Sequence, residues 1–99
     1  MSGILHHDHA AMTTAADCAE VLNQELRDCE RRMRKIDTDL QAAGFQGKTA
    51  VAFSTYVTTV GAPALISTAD MLAQTSIAIK HTRDQFQTAD DTLSTTFTG

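Results

Sequence analysis

From Met12 to Ala43 the apolar and small residues recur at steps of three and four: Met12, Ala15, Ala19, Leu22, Leu26, Cys29, Met33, Ile36, Leu40 and Ala43. A 3.5-residue repeat held over this length keeps one stripe on one side of an α-helix, the pattern of helices that pack along their whole length. A strand would need a two-residue alternation, which is not there. The other positions carry Glu25, Arg27, Asp28, Glu30, Arg31, Arg32, Arg34, Lys35, Asp37 and Asp39. Acids interleave with bases and no aromatic stands among them to stack on a base, so this face is expected to be solvated and salt-bridged rather than a nucleic-acid patch. A first helix is expected over about residues 8–43, with Asp8 as candidate N-cap, Thr14 and Asp17 as a later start, and a frayed Met1–His7.

Gly44-Phe45-Gln46-Gly47 follows. Glycine takes positive φ without steric cost, so Gly44 suits the residue just past a helix end and Gly47 the entry to the next helix. Beyond it Ala50, Phe53, Val57, Val60 and Ala64 step again by three and four. A second register runs through Leu65, Ala69, Leu72, Ser76, Ile79, Phe86 and Leu93. The two registers are offset at Gly61-Ala62-Pro63, where proline lacks an N–H and crowds the preceding turn, so a kink or local unwinding belongs there. The second helix is expected over about 48–94, with that kink near 61–63.

Two long helices joined by a turn at 44–47 return antiparallel. The expected fold is all-α: a single domain over 1–99, an antiparallel two-helix hairpin. A hairpin of 99 residues buries too little surface to be stable alone, so it is expected to pair with another hairpin into a four-helix bundle. Leu22, Leu26, Met33, Ile36, Leu40, Leu72, Ile79 and Leu93 are the candidate interface residues. With the bend near Phe45, Asp8 falls opposite about residue 82. The chain from Arg83 onward is then an overhang whose Phe86, Leu93 and Phe97 have no partner, as at an interaction surface.

Composition excludes several alternatives. A formal charge of −4 disfavours nucleic acid as the main partner. Met1–Met12 has neither the basic start nor the apolar run of a secretory signal, so export would need a route without a cleaved one. Cys18 and Cys29 would lie roughly 16 Å apart along one helix, beyond disulfide reach. Cys29 falls on the seam as a small core residue; Cys18 flanks it and could link only to a second chain. His6-His7-Asp8-His9 are near neighbours on a free end, without a second ligand set, so no metal or other cofactor is expected. Thr49–Ala69 carries no charge, but its Ser, Thr, Gly and Pro make it a poor membrane span; it is expected to be the buried stretch of the hairpin, and membrane binding is not expected. His81 and Asp84 share a helix face with no nucleophile placed beside them, so no enzyme is expected.

Three features resemble the WXG-motif superfamily of small proteins secreted by type VII systems. One is the length near one hundred residues with a central turn. Another is the turn motif, here Phe45-Gln46-Gly47, followed by Phe53 where the family commonly has an aromatic. The last is the tail motif of an aromatic, three residues and an acid, here Phe86-Gln87-Thr88-Ala89-Asp90 with Asp91 beside it. Phe45 stands for the family's tryptophan and Phe86 for its usual tyrosine, so the N–H and O–H handles are lost. The phenylalanine form of the tail is associated with the helical adaptors that accompany LXG toxins.

The resemblance implies a non-enzymatic protein, dimeric with itself or with another helical hairpin, that leaves the cytoplasm folded for the cell surface or medium. It would act as a substrate or as an adaptor for a larger toxin. Phe86, Asp90 and Asp91 would meet the export ATPase or the partner, and Phe45, packed across the bend, would complete the signal with Gly47. The competing expectation is a membrane-active or generic coiled-coil module without a role in secretion.

Overall fold

The computed structural model describes residues 2–98, with the side chains of residues 9–89 and 91–93. The described residues are helical with no strand: α1 is Ser2–Ala42, α2 is Lys48–Tyr56, a π-helical stretch is Val57–Gly61, and α3 is Ala62–Thr98. The last three follow one another without a loop. The chain divides into two compact units, Met1–Val21 with Leu72–Gly99, and Leu22–Met71.

α1 starts at Ser2 rather than near Asp8. A nucleated helix gains one hydrogen bond per added residue, and only Gly3 opposes its extension through Ser2–His7. Asp8, Thr14 and Asp17 therefore lie inside a helix, where no orphan N–H awaits a cap.

The end of α1 is fixed by two backbone bonds. The Gly44 N–H donates to the Gln41 carbonyl at 3.0 Å and the Phe45 N–H to the Leu40 carbonyl at 3.0 Å, with Gly44 at φ 80. This is the Schellman termination, which needs a left-handed residue where Gly44 stands. Gly47 is the N-cap of α2 at φ 105, ψ −175, a region that only glycine occupies without strain. No side chain caps α2; its first bond runs from the Val51 N–H to the Gly47 carbonyl at 3.1 Å.

In the unit Leu22–Met71, α1 meets the residues after the turn at matched distances from it. Asp37 accepts from the Ser54 hydroxyl at 3.1 Å, Met33 lies against Gly61, and Arg27 donates to Asp70 at 2.6 Å. The covered positions are small: Gly61, Ala62 and Ala69 are buried with Val57, the largest fully buried side chain among the described residues. A Cβ on Gly61 would stand 2.7 Å from Met33 Sδ and 3.0 Å from Tyr56 Cε1, so the missing side chain is what lets the backbones approach. In the other unit Ser76, buried, donates to the Ala16 carbonyl at 2.9 Å, and Arg83 donates to Thr13 at 3.2 Å. Ala16 and Ala19 are its buried apolar residues.

The expected distortion near Pro63 takes the form of the π stretch just before it. The Ala62 N–H bonds to the Val57 carbonyl, an i→i−5 bond. Pro63 has no N–H to give, and its ring would press on the carbonyl of Thr59 in a regular helix; the wider turn makes room. The Thr58 and Thr59 hydroxyls bond back to the Ser54 and Thr55 carbonyls at 3.0 and 2.6 Å, which also favours opening the ladder. The wide turn advances the buried face by steps of four, from Val57 to Gly61 to Leu65 to Ala69. Val60 and Ala64, expected to face inward, are exposed in consequence. The uncharged stretch is not the buried section either: most of Thr49–Ala69 is exposed.

Candidate interaction surface

The covered face of α1 is not the one that apolar spacing alone selects. Its buried and half-buried residues include a run through Ala16, Ala19, Asn23, Leu26, Glu30, Met33, Asp37 and Leu40, with Met12, Thr13, Glu20 and Arg27 half-buried beside it. Polar side chains hold inward positions because each has a partner. Asn23, buried, accepts from Arg27 Nε at 2.8 Å; Glu30 pairs with Arg34; Asp37 takes the Ser54 hydroxyl and the Gln41 amide. Hydrogen bonding removes most of the penalty that made these positions look solvent-facing.

The consequence is a second apolar row left open. Leu22 is 47% and Ile36 54% exposed, and Cys29 between them is exposed too, a free thiol and not the core residue expected. At 100° per residue the row Leu22–Cys29–Ile36, with its flank Glu25–Arg32–Asp39, is centred about 100° around α1 from the covered face. A helix inside a four-helix bundle presents two such faces, one to each neighbour. Of the other candidate interface residues, Leu26, Met33, Leu40, Leu72 and Ile79 are half-buried within their own units, and Leu93 is exposed.

At the turn, Phe45 stands between the end of α1 and the start of α2. It is 45% exposed and lines an open groove of about 500 Å³ with Gln41, Gln46, Gly47, Val51 and Thr55. Phe53 is half-buried. In the other unit Met12, Ala15, Ala78, Ile79, Thr75 and Thr82 line an open, mainly apolar groove of about 490 Å³.

Of the tail motif, Phe86 is 38% exposed, and Gln87 donates to Asp91 at 3.1 Å. The side chain of Asp90 lies outside the described residues, as do those of Phe97, His6, His7 and Asp8. His9 is half-buried, and its Nδ1 has no partner among the described residues. The overhang does not begin at Arg83 as expected, because Arg83 reaches Thr13 and α1 continues to Ser2 beyond it.

The charged face is salt-bridged as expected. Arg31 pairs with Asp28, Arg34 with Glu30, and Lys35 with Asp39 at 2.8 Å. The Arg31–Asp28 and Lys35–Asp39 pairs are largely exposed, so each contributes at most about 1 kcal/mol, whereas Glu30 of the third pair is mostly covered. The continuous helical run Lys48–Leu93 is long and apolar enough to cross a membrane by length and composition alone, which departs from the expectation for this stretch. No family model, curated protein or solved structure matches the chain.

Proposed function

We propose that this chain is an antiparallel helical hairpin that pairs with a second hairpin into a four-helix bundle. In this reading it acts, without catalysis, as a substrate or adaptor of a type VII export system. The observation that carries the pairing is the uncovered apolar surface. Leu22 and Ile36 on α1, and Val51, Tyr56, Val60 and Met71 after the turn, are large apolar side chains left exposed within the unit Leu22–Met71, and burying such surface against a partner is favourable at about 25 cal/mol per Å².

The export assignment is supported by the sequence resemblance, by Phe86 standing partly exposed on a helix, and by the glycine-bracketed turn at Phe45. Phe86 would anchor the ATPase or the partner, with Asp90 and Asp91 a turn further on, and the turn motif would complete the signal. The protein would be cytoplasmic before export and reach the surface or medium without a cleaved signal. The test is secretion of Phe86→Ala and Asp90→Ala chains from a host carrying the system. Loss of export with helix content and molar mass unchanged supports the reading; unchanged export refutes it.

The apolar run Lys48–Leu93 favours a second reading, insertion into membranes. Dye release from anionic and neutral vesicles by the full chain would support it. Intact vesicles at micromolar protein would dismiss it.

A further inference from the structure

We propose that the π turn is a ratchet: α3 has a second seat against α1, one residue of rotation away, and Pro63 holds it in the present one. The inference depends on neither pairing nor export, and its core residues lie in the unit Leu22–Met71.

The turn sets the size of the step. The Ala62 N–H bonds to the Val57 carbonyl, so the π stretch holds one residue more than an α turn would. If that bond shortened to the Thr58 carbonyl, each residue after the turn would advance by one position, about 100° around the helix axis. Ala62 and Ala69, fully buried in the present seat, would turn outward. Ala64, Thr68 and Met71, all exposed, would turn in.

Such a rotation normally drives a charge inward and lifts the one apolar face into water. Here it does neither. The incoming positions Val60, Ala64, Thr68 and Met71 carry no charge, and the outgoing ones are alanines with little apolar surface to lose. Gly61 stays on the inner side in both seats, so its close approach to Met33 survives the step. The pattern continues in the other unit. One place before the buried Ser76 and the half-buried Ile79 and Arg83 stand Thr75, Ala78 and Thr82, again uncharged, which line the open apolar groove beside Met12 and Ala15. The chain thus carries two interleaved inner faces, where a helix with one destination needs one.

What separates the seats is small and identifiable. The present seat holds the Arg27–Asp70 ion pair at 2.6 Å, partly solvated, which the step would part. It also relieves Pro63, whose ring would press on the Thr59 carbonyl in a regular helix. The second seat regains the α-helical hydrogen bonds at the turn and covers the Met71 side chain, now 64% exposed. Opposed terms of this size leave the second seat as a minor state of about 0.1–10%. A molecule that covers Val60 and Met71 from outside holds the present seat, so binding on that side of α3 and the fit of α3 to α1 are coupled through the turn.

Methyl relaxation dispersion on the full-length chain reads the step, with the Met71 ε-methyl and the methyls of Ala62, Ala64 and Ala69 as probes. The expected result is exchange at all of them with one rate and one minor population. Pro63→Ala should raise that population at least tenfold, against the roughly hundredfold that a proline inside a helix is worth. Asp70→Ala should raise it up to about fivefold, since the ion pair belongs to the present seat alone. Removing Thr59 from the Pro63→Ala chain should bring Ala62 and Ala69 back to wild-type shifts and abolish the exchange, because with one residue fewer the present seat is the regular helix. Circular dichroism would confirm equal helix content. Flat dispersion at these methyls in wild type, a Pro63→Ala chain with an unchanged minor population, or exchange that persists without Thr59 overturns the ratchet.

Discussion

Replacing Gly47 with L-alanine should destabilise the protein, and replacing it with D-alanine should not. Gly47 holds φ 105, ψ −175, and a Cβ there would meet nothing within 4 Å. Any penalty is therefore backbone strain and not collision. Such a conformation costs an L-residue about 1–3 kcal/mol, while alanine's stiffer unfolded chain returns about 0.4–1 kcal/mol. The net loss is about 1–2 kcal/mol. For a domain of this size each kcal/mol lowers Tm by about 4–8 °C. In D-alanine the same backbone is the mirror image of ordinary extended chain, so the strain vanishes and the unfolded-state gain remains. Native ligation at Cys18 or Cys29 followed by urea melts at one fixed protein concentration would measure all three chains. An L-alanine chain as stable as wild type, or a D-alanine chain as unstable as the L form, would refute the account of the turn.

Gly61→Val should cost about 1–3 kcal/mol through overpacking against Met33 and Tyr56, and Gly61→Ala less, because the Met33 side chain can swing aside; urea midpoints check both. Ser76→Ala should lose about 0.5–1.5 kcal/mol with its bond to the Ala16 carbonyl, read from the same melts. Asp70→Ala should change stability by no more than about 1 kcal/mol, since its pair with Arg27 is partly solvated. Leu22→Glu and Ile36→Glu should leave the chain helical by circular dichroism while abolishing self-association by light scattering, because both side chains are exposed within the single chain.

Helical character and the turn were legible because they depend on local rules. Heptad spacing marked α1, and a glycine pair marked its end; Gly44 and Gly47 both adopt positive φ. What spacing could not deliver was which of two adjacent apolar rows faces the chain's own second helix. That choice was made by Asn23, Glu30 and Asp37, polar residues with inward-facing partners that lie far off in sequence or one helical turn away. A rule that treats polar as outward assigns them wrongly, and Cys29, Leu22 and Ile36 with them.

The long-range clue was present in another form. Within the unit Leu22–Met71 the segment after the turn offers Gly61, Ala62 and Ala69, small buried residues, with Gly61 against Met33, and in the other unit Ser76 sits against Ala16. The start of α1 was missed because a weak propensity segment was denied the support of the helix it extends. The shift of burial from Val60 to Gly61 depends on one π turn, for which Pro63 and the threonines before it were the signal. Asp90, at the centre of the tail motif, lies with its side chain outside the described residues.

The central claim is that one chain's exposed apolar row is covered by a second hairpin, which in the purified chain is another copy. Light scattering on the purified chain, across a dilution series from hundreds of micromolar to below one micromolar, measures this directly. The account predicts a molar mass twice the 10.7 kDa of one chain at the upper end, falling toward that value only on dilution. A fully helical, cooperatively melting species of 10.7 kDa at every concentration would contradict it.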